Sequence, residues 1–523
     1  MTPAGSVSPR VCRSLGARLT ADASGVPLAR FRLRVSARGC GIRSLVELSH
    51  CAFCSTFIHA AERLVATDGT GFFDRQLRGL MGVTSFAPSG SRFTTFLASP
   101  LRTAHAFRTA WDLMRAQIAH SAVTGPLDQP AQHAGAGRTA SARMQHIVTV
   151  QREQVWRDEL HDVIDGMRHD DPRRMAWFAE DCLSSQFLTA WPTSQLYLDD
   201  TEWTTVMATY LGIPVPALRQ CVNHFIPTSR GTPVCDAHGL MLSRATMLLV
   251  DFTPCHDEMA LAMWSMMEGS GVPVRREPRY IFQRVLSDQQ LLHDRVRTII
   301  PDAAMTLAMR EARTERGALQ AIRPMPARML LYDVKGVHGG TRWYSSARGR
   351  HDQCGAVAAR ARDVQLAYRR HARTLDHHYH GPHSTTILDY LDSFTAVRGL
   401  CVGHYGEASP DVHALIDIAA TGTARLQQGA WGARTAAEAR SFALSLHRRV
   451  LGVTFVRAMA RHLIRRIPFV GLDYQQIREI AARFERGDPI TMADAIAPPS
   501  QVPAAPELFY AYQAPSDRPH GRP

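Results

Sequence analysis

The chain has 523 residues, 45% hydrophobic and 20% charged, an ordinary globular composition with room for two or three cores. No apolar run reaches the roughly 18 residues of a membrane-spanning helix, so no membrane partner is expected. The arginine-bearing N-terminus lacks the apolar segment and cleavage site of a secretory signal, so the expected location is intracellular, and nuclear in a eukaryotic cell. A formal net charge of +13 points to a polyanionic partner, nucleic acid first.

In chain order, residues 1–27 mix Ser, Gly, Pro, Ala and Arg and are expected to be disordered. Residues 28–220 read as a mostly helical region, with apolar residues at three-to-four spacing over 44–64. Within it, 124–142 reads as a linker, and 153–167 and 202–211 read as helices. Residues 221–256 are irregular. A helix over 257–267 stops at Gly269-Ser270-Gly271. Strands are expected at 272–282, 302–309 and 329–334, an arginine-rich helix at 354–375, a strand at 396–405 and a helix at 411–426. That order predicts an α+β or α/β core over 257–426, a mixed sheet flanked by helices. Basic C-terminal helices follow in 427–486, opened by a Thr435…Glu438 capping box. The Pro- and Ala-rich tail, 487–523, is expected to be disordered.

Lysine and arginine total 60, yet only one of them, Lys335, is lysine. A compositional drift toward arginine spares lysine only where chemistry needs it. Arginine stays protonated, whereas a lysine amine is a compact donor whose pKa its site can shift. Lys335 ends an apolar strand, Met329-Leu330-Leu331-Tyr332-Asp333-Val334-Lys335. Strand side chains alternate faces, so Asp333 and Lys335 point one way and Val334 the other, into the core. Asp302 opens the preceding strand after Pro301, whose missing N–H suits a strand start. Two carboxylates on adjacent strands, with water, suit Mg²⁺. Such an ion acidifies water and neutralises charge on a phosphate. Lys335 would then orient or deprotonate that water and stabilise the pentavalent phosphorus.

Pro301-Asp302…Asp333-Val334-Lys335 resembles the PD-(D/E)XK motif of the restriction-endonuclease-like fold. The chain around it resembles the C-terminal part of non-LTR (LINE-type) retrotransposon polyproteins, downstream of the reverse transcriptase. The stretches that carry this resemblance are Gly39-Cys40-Gly41-Ile42-Arg43-Ser44, Phe187-Leu188-Thr189-Ala190-Trp191-Pro192-Thr193 and Tyr210-Leu211-Gly212-Ile213-Pro214. Arg276-Glu277-Pro278-Arg279 and Gly403-His404-Tyr405-Gly406-Glu407-Ala408-Ser409 extend it. The resemblance implies a domain that nicks target DNA, with Asp302 and Asp333 on the metal and Lys335 catalytic. DNA is the implied partner, with element RNA a second. A further acid is implied from a neighbouring element, Glu258 or Glu277. The family's zinc knuckle is matched only in its middle, by Cys235-Asp236-Ala237-His238-Gly239. Leu240 and Ser243 stand where a His and a Cys are expected. Cys221, Cys235, His238 and Cys255, with His224 and His256, are the remaining Zn²⁺ candidates, and a decayed knuckle replaced by packing is the alternative.

Arginines on helix faces can track a phosphate backbone. Arg360, Arg362, Arg369 and Arg370 on the first basic helix, and Arg461 and Arg465 on the last, are the nucleic-acid candidates. Gln365 and Tyr368 are expected to face the scissile strand. A catalytically inactive, nucleic-acid-binding remnant is the non-enzymatic alternative. Tyr197-Leu198-Asp199-Asp200 matches the Tyr-x-Asp-Asp of polymerase palms, but the following Thr201-Glu202-Trp203 makes Asp200 read as a helix N-cap. A reverse transcriptase fragment is therefore the remote alternative. Cys51 and Cys54 read as a buried helix face, and the histidines from His371 to His383 as a solvated loop.

Overall fold

The computed structural model divides into two compact units, Met1–Arg168 and His169–Pro523. In the first unit it describes residues 26–27, 29–30, 33–35, 38–41, 52, 150, 153–154 and 157–168. In the second it describes 169–191, 193–194, 196–228, 231, 233–247, 252–307, 328–340, 342–345, 355–379, 385–394 and 396–486. The expected linker at 124–142, the expected tail at 487–523 and the helix at 44–64, Ala52 apart, lie outside the described residues, as does all of 1–27 but Val26 and Pro27. In the first unit Leu33 and Ile164 are buried, and Arg34 pairs with Glu153 at 3.3 Å.

The second unit opens with α1 (Pro172–Ala179), capped by Asp171, and α2 (Asp200–Leu211). The cap of α2 is Asp199 rather than Asp200. Asp199 accepts from the Glu202 N–H at 2.7 Å, and Glu202 returns a bond to the Asp199 N–H at 3.1 Å. This reciprocal box satisfies two orphan donors, which Asp200 in the first turn could not do. The aspartate pair thus sits at a helix start and not in a hairpin.

The central elements are α3 (Thr253–Gly269), β1 (Val274–Arg276), β2 (Ala303–Leu307), β3 (Arg328–Val337), α4 (Gly355–His378), α5 (Ile387–Ser393), β4 (Arg398–Gly403) and α6 (Pro410–Gln427). After them come α7 (Ala436–Ile464) and α8 (Tyr474–Glu485). β1 is far shorter than the strand expected over 272–282. Glu277 turns the chain with a φ of +39°, and Pro278 cannot donate to a ladder, so a 3-10 turn follows at Arg279–Phe282. β3 is longer than expected because Gly336 and Val337 continue the ladder beyond Lys335.

The strands form one mixed sheet in the order β1-β2-β3-β4. The first two pairings are antiparallel and β3–β4 is parallel. The parallel pair requires a crossover, which α4 and α5 supply. Strand alternation gives each face its own core. Ala304, Leu331, Val337 and Cys401 pack with Val357, Val364, Tyr368 and Ala372 of α4. Ala303, Met305, Leu330, Tyr332, Val334, Leu400 and Val402 pack with α3, α6 and α7. The architecture is therefore mixed α+β, a small four-stranded sheet between helical layers.

The 434–466 segment is one 29-residue helix, and its middle is buried nearly all round, from Leu451 through Met459. Its middle belongs to the core. No described helix is long and apolar enough to cross a membrane.

One close approach sets the height of α4 above the sheet. A Cβ on Gly399 of β4 would lie 2.7 Å from the Ala361 Cα of α4. Gly399 is the register partner of Asp333. Gly399→Val should push α4 outward and lower unfolding stability by about 1–3 kcal/mol in urea titration. A wild-type midpoint would contradict this seating.

Candidate functional site

The β2–β3 register pairs Ala303 with Tyr332. Carried one residue outward, it sets Asp302 opposite Asp333, and directly opposed residues share a face. This is the face covered by α4. The cross-strand tie is direct, because the Val334 N–H donates to Asp302 Oδ2 at 2.7 Å. The two aspartates are thus held side by side by backbone geometry.

Asp333 is 2% exposed. Its Oδ2 lies 2.8 Å from Lys335 Nζ, two residues along the same strand face. Its Oδ1 accepts from the Tyr368 hydroxyl of α4 at 2.9 Å, and that hydroxyl also lies 3.2 Å from the Ile300 carbonyl. Burial pushes the Asp333 carboxyl above the usual carboxylate value; Lys335 pulls it back, and the neighbouring charge of Asp302 reinforces the rise. Tyr368, buried beside these two carboxylates, is held well above the ordinary phenol value.

Asp302 stands differently. Burial would raise its pKa, but the His256 hydrogen bond, the Lys335 charge and the Val334 N–H together lower it. His256 comes from the first turn of α3, which Thr253 and Pro254 open. Its Nε2 lies 3.0 Å from Asp302 Oδ2 and its Nδ1 lies 3.0 Å from Asp257 Oδ1. Burial opposes a charge on His256, and the bonds to Asp302 and Asp257 outweigh it, so its pKa is raised. Two neighbouring carboxyls are thus driven in opposite directions, a pattern that accompanies acid–base and metal chemistry.

The structure gathers Asp302, Asp333 and Lys335. It does not bring in either candidate for a further acid. Glu258 faces α7 and is held by Arg457 at 2.9 Å and Arg461 at 3.1 Å. Glu277 is 63% exposed and turned toward Arg279, although its N–H donates to the Asp302 carbonyl. His256 and Tyr368 occupy the space around the carboxylates instead. The local sequence carried a signal for the first, since His256 opens the run His256-Asp257-Glu258. Tyr368 was singled out for nucleic acid, but its hydroxyl points inward.

The other nucleic-acid candidates divide. Arg362, Gln365 and Arg370 are exposed on the outer side of α4, where Arg370 also lies 3.5 Å from Asp363. Arg360 pairs with Asp363 at 2.6 Å and lies over the Trp343 ring, and Arg369 pairs with Asp392 at 2.8 Å. Arg461 is engaged by Glu202 as well as Glu258, and Arg465 is half-buried.

The zinc candidates also separate. Cys255 is buried, its Sγ 3.7 Å from Met459 Sδ, and burial raises its thiol pKa. Cys235 is buried too, pushed up to about 12 by desolvation first and by Cys221 and Asp236 next. Its backbone pairs with that of Asn223 and His224, just after Cys221. Ser243, at the position expected for a cysteine, has its Oγ 3.3 Å from His338 Nδ1. Among the described residues, no three His, Cys, Asp or Glu side chains already converge as metal ligands.

Comparison with protein-family models, with curated proteins and with solved structures returned no match.

The raised pKa of Asp333 fixes a sign. The folded state favours its proton, so above the ordinary value of 3.8 its ionisation works against folding. Asp333→Asn should therefore unfold at a higher urea concentration than wild type at pH 7. The advantage should shrink as pH falls toward 3.8. A variant less stable at pH 7 would show that Lys335 and Tyr368 overcome the burial cost.

Proposed function

We propose that the second unit is a divalent-metal-dependent DNA endonuclease of the PD-(D/E)XK type, from the C-terminal region of a non-LTR retrotransposon. The observation that carries the reading is the side-by-side setting of Asp302 and Asp333, with the chain's sole lysine on Asp333. The element order supports it, since a helix, three strands, a crossover helix and a parallel fourth strand surround the motif. The net charge of +13 supports a nucleic-acid substrate.

The residues fit a magnesium ion in kind. Asp302 Oδ1 meets no donor among the described residues, and its Oδ2 is aimed by a backbone amide. Two carboxylates with water ligands are a usual Mg²⁺ set. Bound there, the ion would supply Lewis-acid neutralisation and a more acidic water. Asp302, whose pKa is depressed, would bind the ion. Tyr368 orients the Asp333 carboxylate, which is a positioning role. Lys335, 36% exposed, places an ammonium at the mouth of the site, where charge accumulates on a phosphate under attack. Arg362, Gln365 and Arg370 would meet the DNA strand from the outer side of α4.

Plasmid nicking in Mg²⁺ tests this. Lys335→Ala should lower the nicking rate by about 10²–10³-fold, the cost typical of losing one transition-state donor. Lys335→Arg should lose nearly as much, because a guanidinium keeps its proton and spreads its charge. Equal nicking by wild type and Lys335→Ala would end the proposal. DNA binding without nicking by any of the three would favour a non-catalytic binding protein instead.

A further inference from the structure

The two acids considered as third metal ligand are both engaged elsewhere. Glu258 is clamped by Arg457 and Arg461, and Glu277 is turned outward beside Arg279. On α3, two residues before Glu258, His256 points its Nε2 at Asp302 Oδ2. We propose that His256 is a metal ligand, so that this site takes a first-row divalent ion such as Mn²⁺ in preference to Mg²⁺. The proposal rests on the endonuclease reading for the purpose of the ion, but its geometry and its test do not.

Three observations meet here. The first is a distance. Two ligands at about 2.1 Å from an octahedral ion, at right angles, lie about 3.0 Å apart. His256 Nε2 and Asp302 Oδ2 are 3.0 Å apart in the hydrogen bond they share, so an ion could replace the proton between them with little movement. The second is the tautomer. Asp257 Oδ1 lies 3.0 Å from the opposite ring nitrogen, Nδ1. With the Nδ1 proton held by a carboxylate, Nε2 becomes a metal ligand once an ion displaces the proton it shares with Asp302, which gives the arrangement of carboxylate–histidine–metal triads. The third is support. Asp302 Oδ2 is fixed by the Val334 N–H, and His256 sits on a helix anchored through Cys255 and Met259 in the core. Asp333 turns its Oδ2 to Lys335 in this conformation, so His256 and Asp302 form the ready pair and Asp333 completes the set on binding.

The ligand chemistry then sets the metal. Mg²⁺ is bound through oxygen and keeps its waters. An imidazole nitrogen favours first-row transition ions over it. Electrostatics alone does not give this ranking, since both ions carry the same charge.

The test uses the full chain with Mn²⁺ and Mg²⁺ as probes, with no DNA present. Wild type should bind Mn²⁺ at least about tenfold more tightly than Mg²⁺ by calorimetry. Pulsed EPR of bound Mn²⁺ should show an imidazole nitrogen coupling. His256→Gln should lose that coupling and weaken Mn²⁺ binding by about tenfold or more, with Mg²⁺ binding changed much less. Asp257→Asn, which keeps the imidazole, should weaken Mn²⁺ binding by about tenfold while retaining the nitrogen signal. Wild-type Mn²⁺ without nitrogen coupling, or equal Mn²⁺ affinity in His256→Gln, would overturn the assignment. The two readings fail separately. His256-dependent Mn²⁺ binding in a protein that never nicks DNA sinks the endonuclease and keeps the ligand. Nicking with Mn²⁺ binding indifferent to His256 does the reverse.

Discussion

The Asp333 carboxylate lies between the sheet and its crossover helix, and burying a charge there is costly unless neighbours offset it. Everything around it answers that cost. Lys335 supplies the opposite charge from the same strand face, and Tyr368 supplies a hydroxyl from α4. Gly399, its register partner on β4, has no side chain, so α4 can come down far enough for that hydroxyl to reach. The same carboxylate resists ionisation, a pattern common to functional sites and to structural ion pairs. Its neighbour Asp302 is treated in the opposite way, tied to a backbone amide and a histidine that favour its charge.

Much of this was legible from residue order. The alternation Leu330, Tyr332 and Val334 against Leu331, Asp333 and Lys335 assigned the two faces of β3, and a period of two leaves no freedom once one face is apolar. The Pro301-Asp302 start gave the neighbouring strand. The register that sets Asp302 against Asp333 was not readable, since it depends on how β2 and β3 meet across a long connection. Local rules also overextended β1, where Glu277 and Pro278 end a strand that its apolar content favoured. The 434–466 segment misled for a physical reason. Its Arg461 and Arg465 stood as candidates for a phosphate backbone, but Arg457 and Arg461 reach acids on other elements while the middle of the helix fills the core.

The buried partners of α3 were the least legible of all. Three consecutive residues, His256, Asp257 and Glu258, look interchangeable as a polar start to a helix. A helix turns about 100° per residue, so they cannot face the same way. One points to the sheet, and Glu258 points to α7, where two guanidinium groups hold it. Which of them meets Asp302 is decided by the helix phase, and that is set by Cys255, Met259 and Met263 in the core. A shift by one position would trade an imidazole for a carboxylate.

Tyr368 has a mechanical consequence. It lies on the inner side of α4, and Arg362, Gln365 and Arg370 lie on the outer side of the same rigid rod. Its hydroxyl touches both Asp333 and the Ile300 carbonyl, two residues before Asp302 in the chain. A displacement of α4 would therefore act on one carboxylate directly and on the chain just before the other, so the two aspartates share one tether.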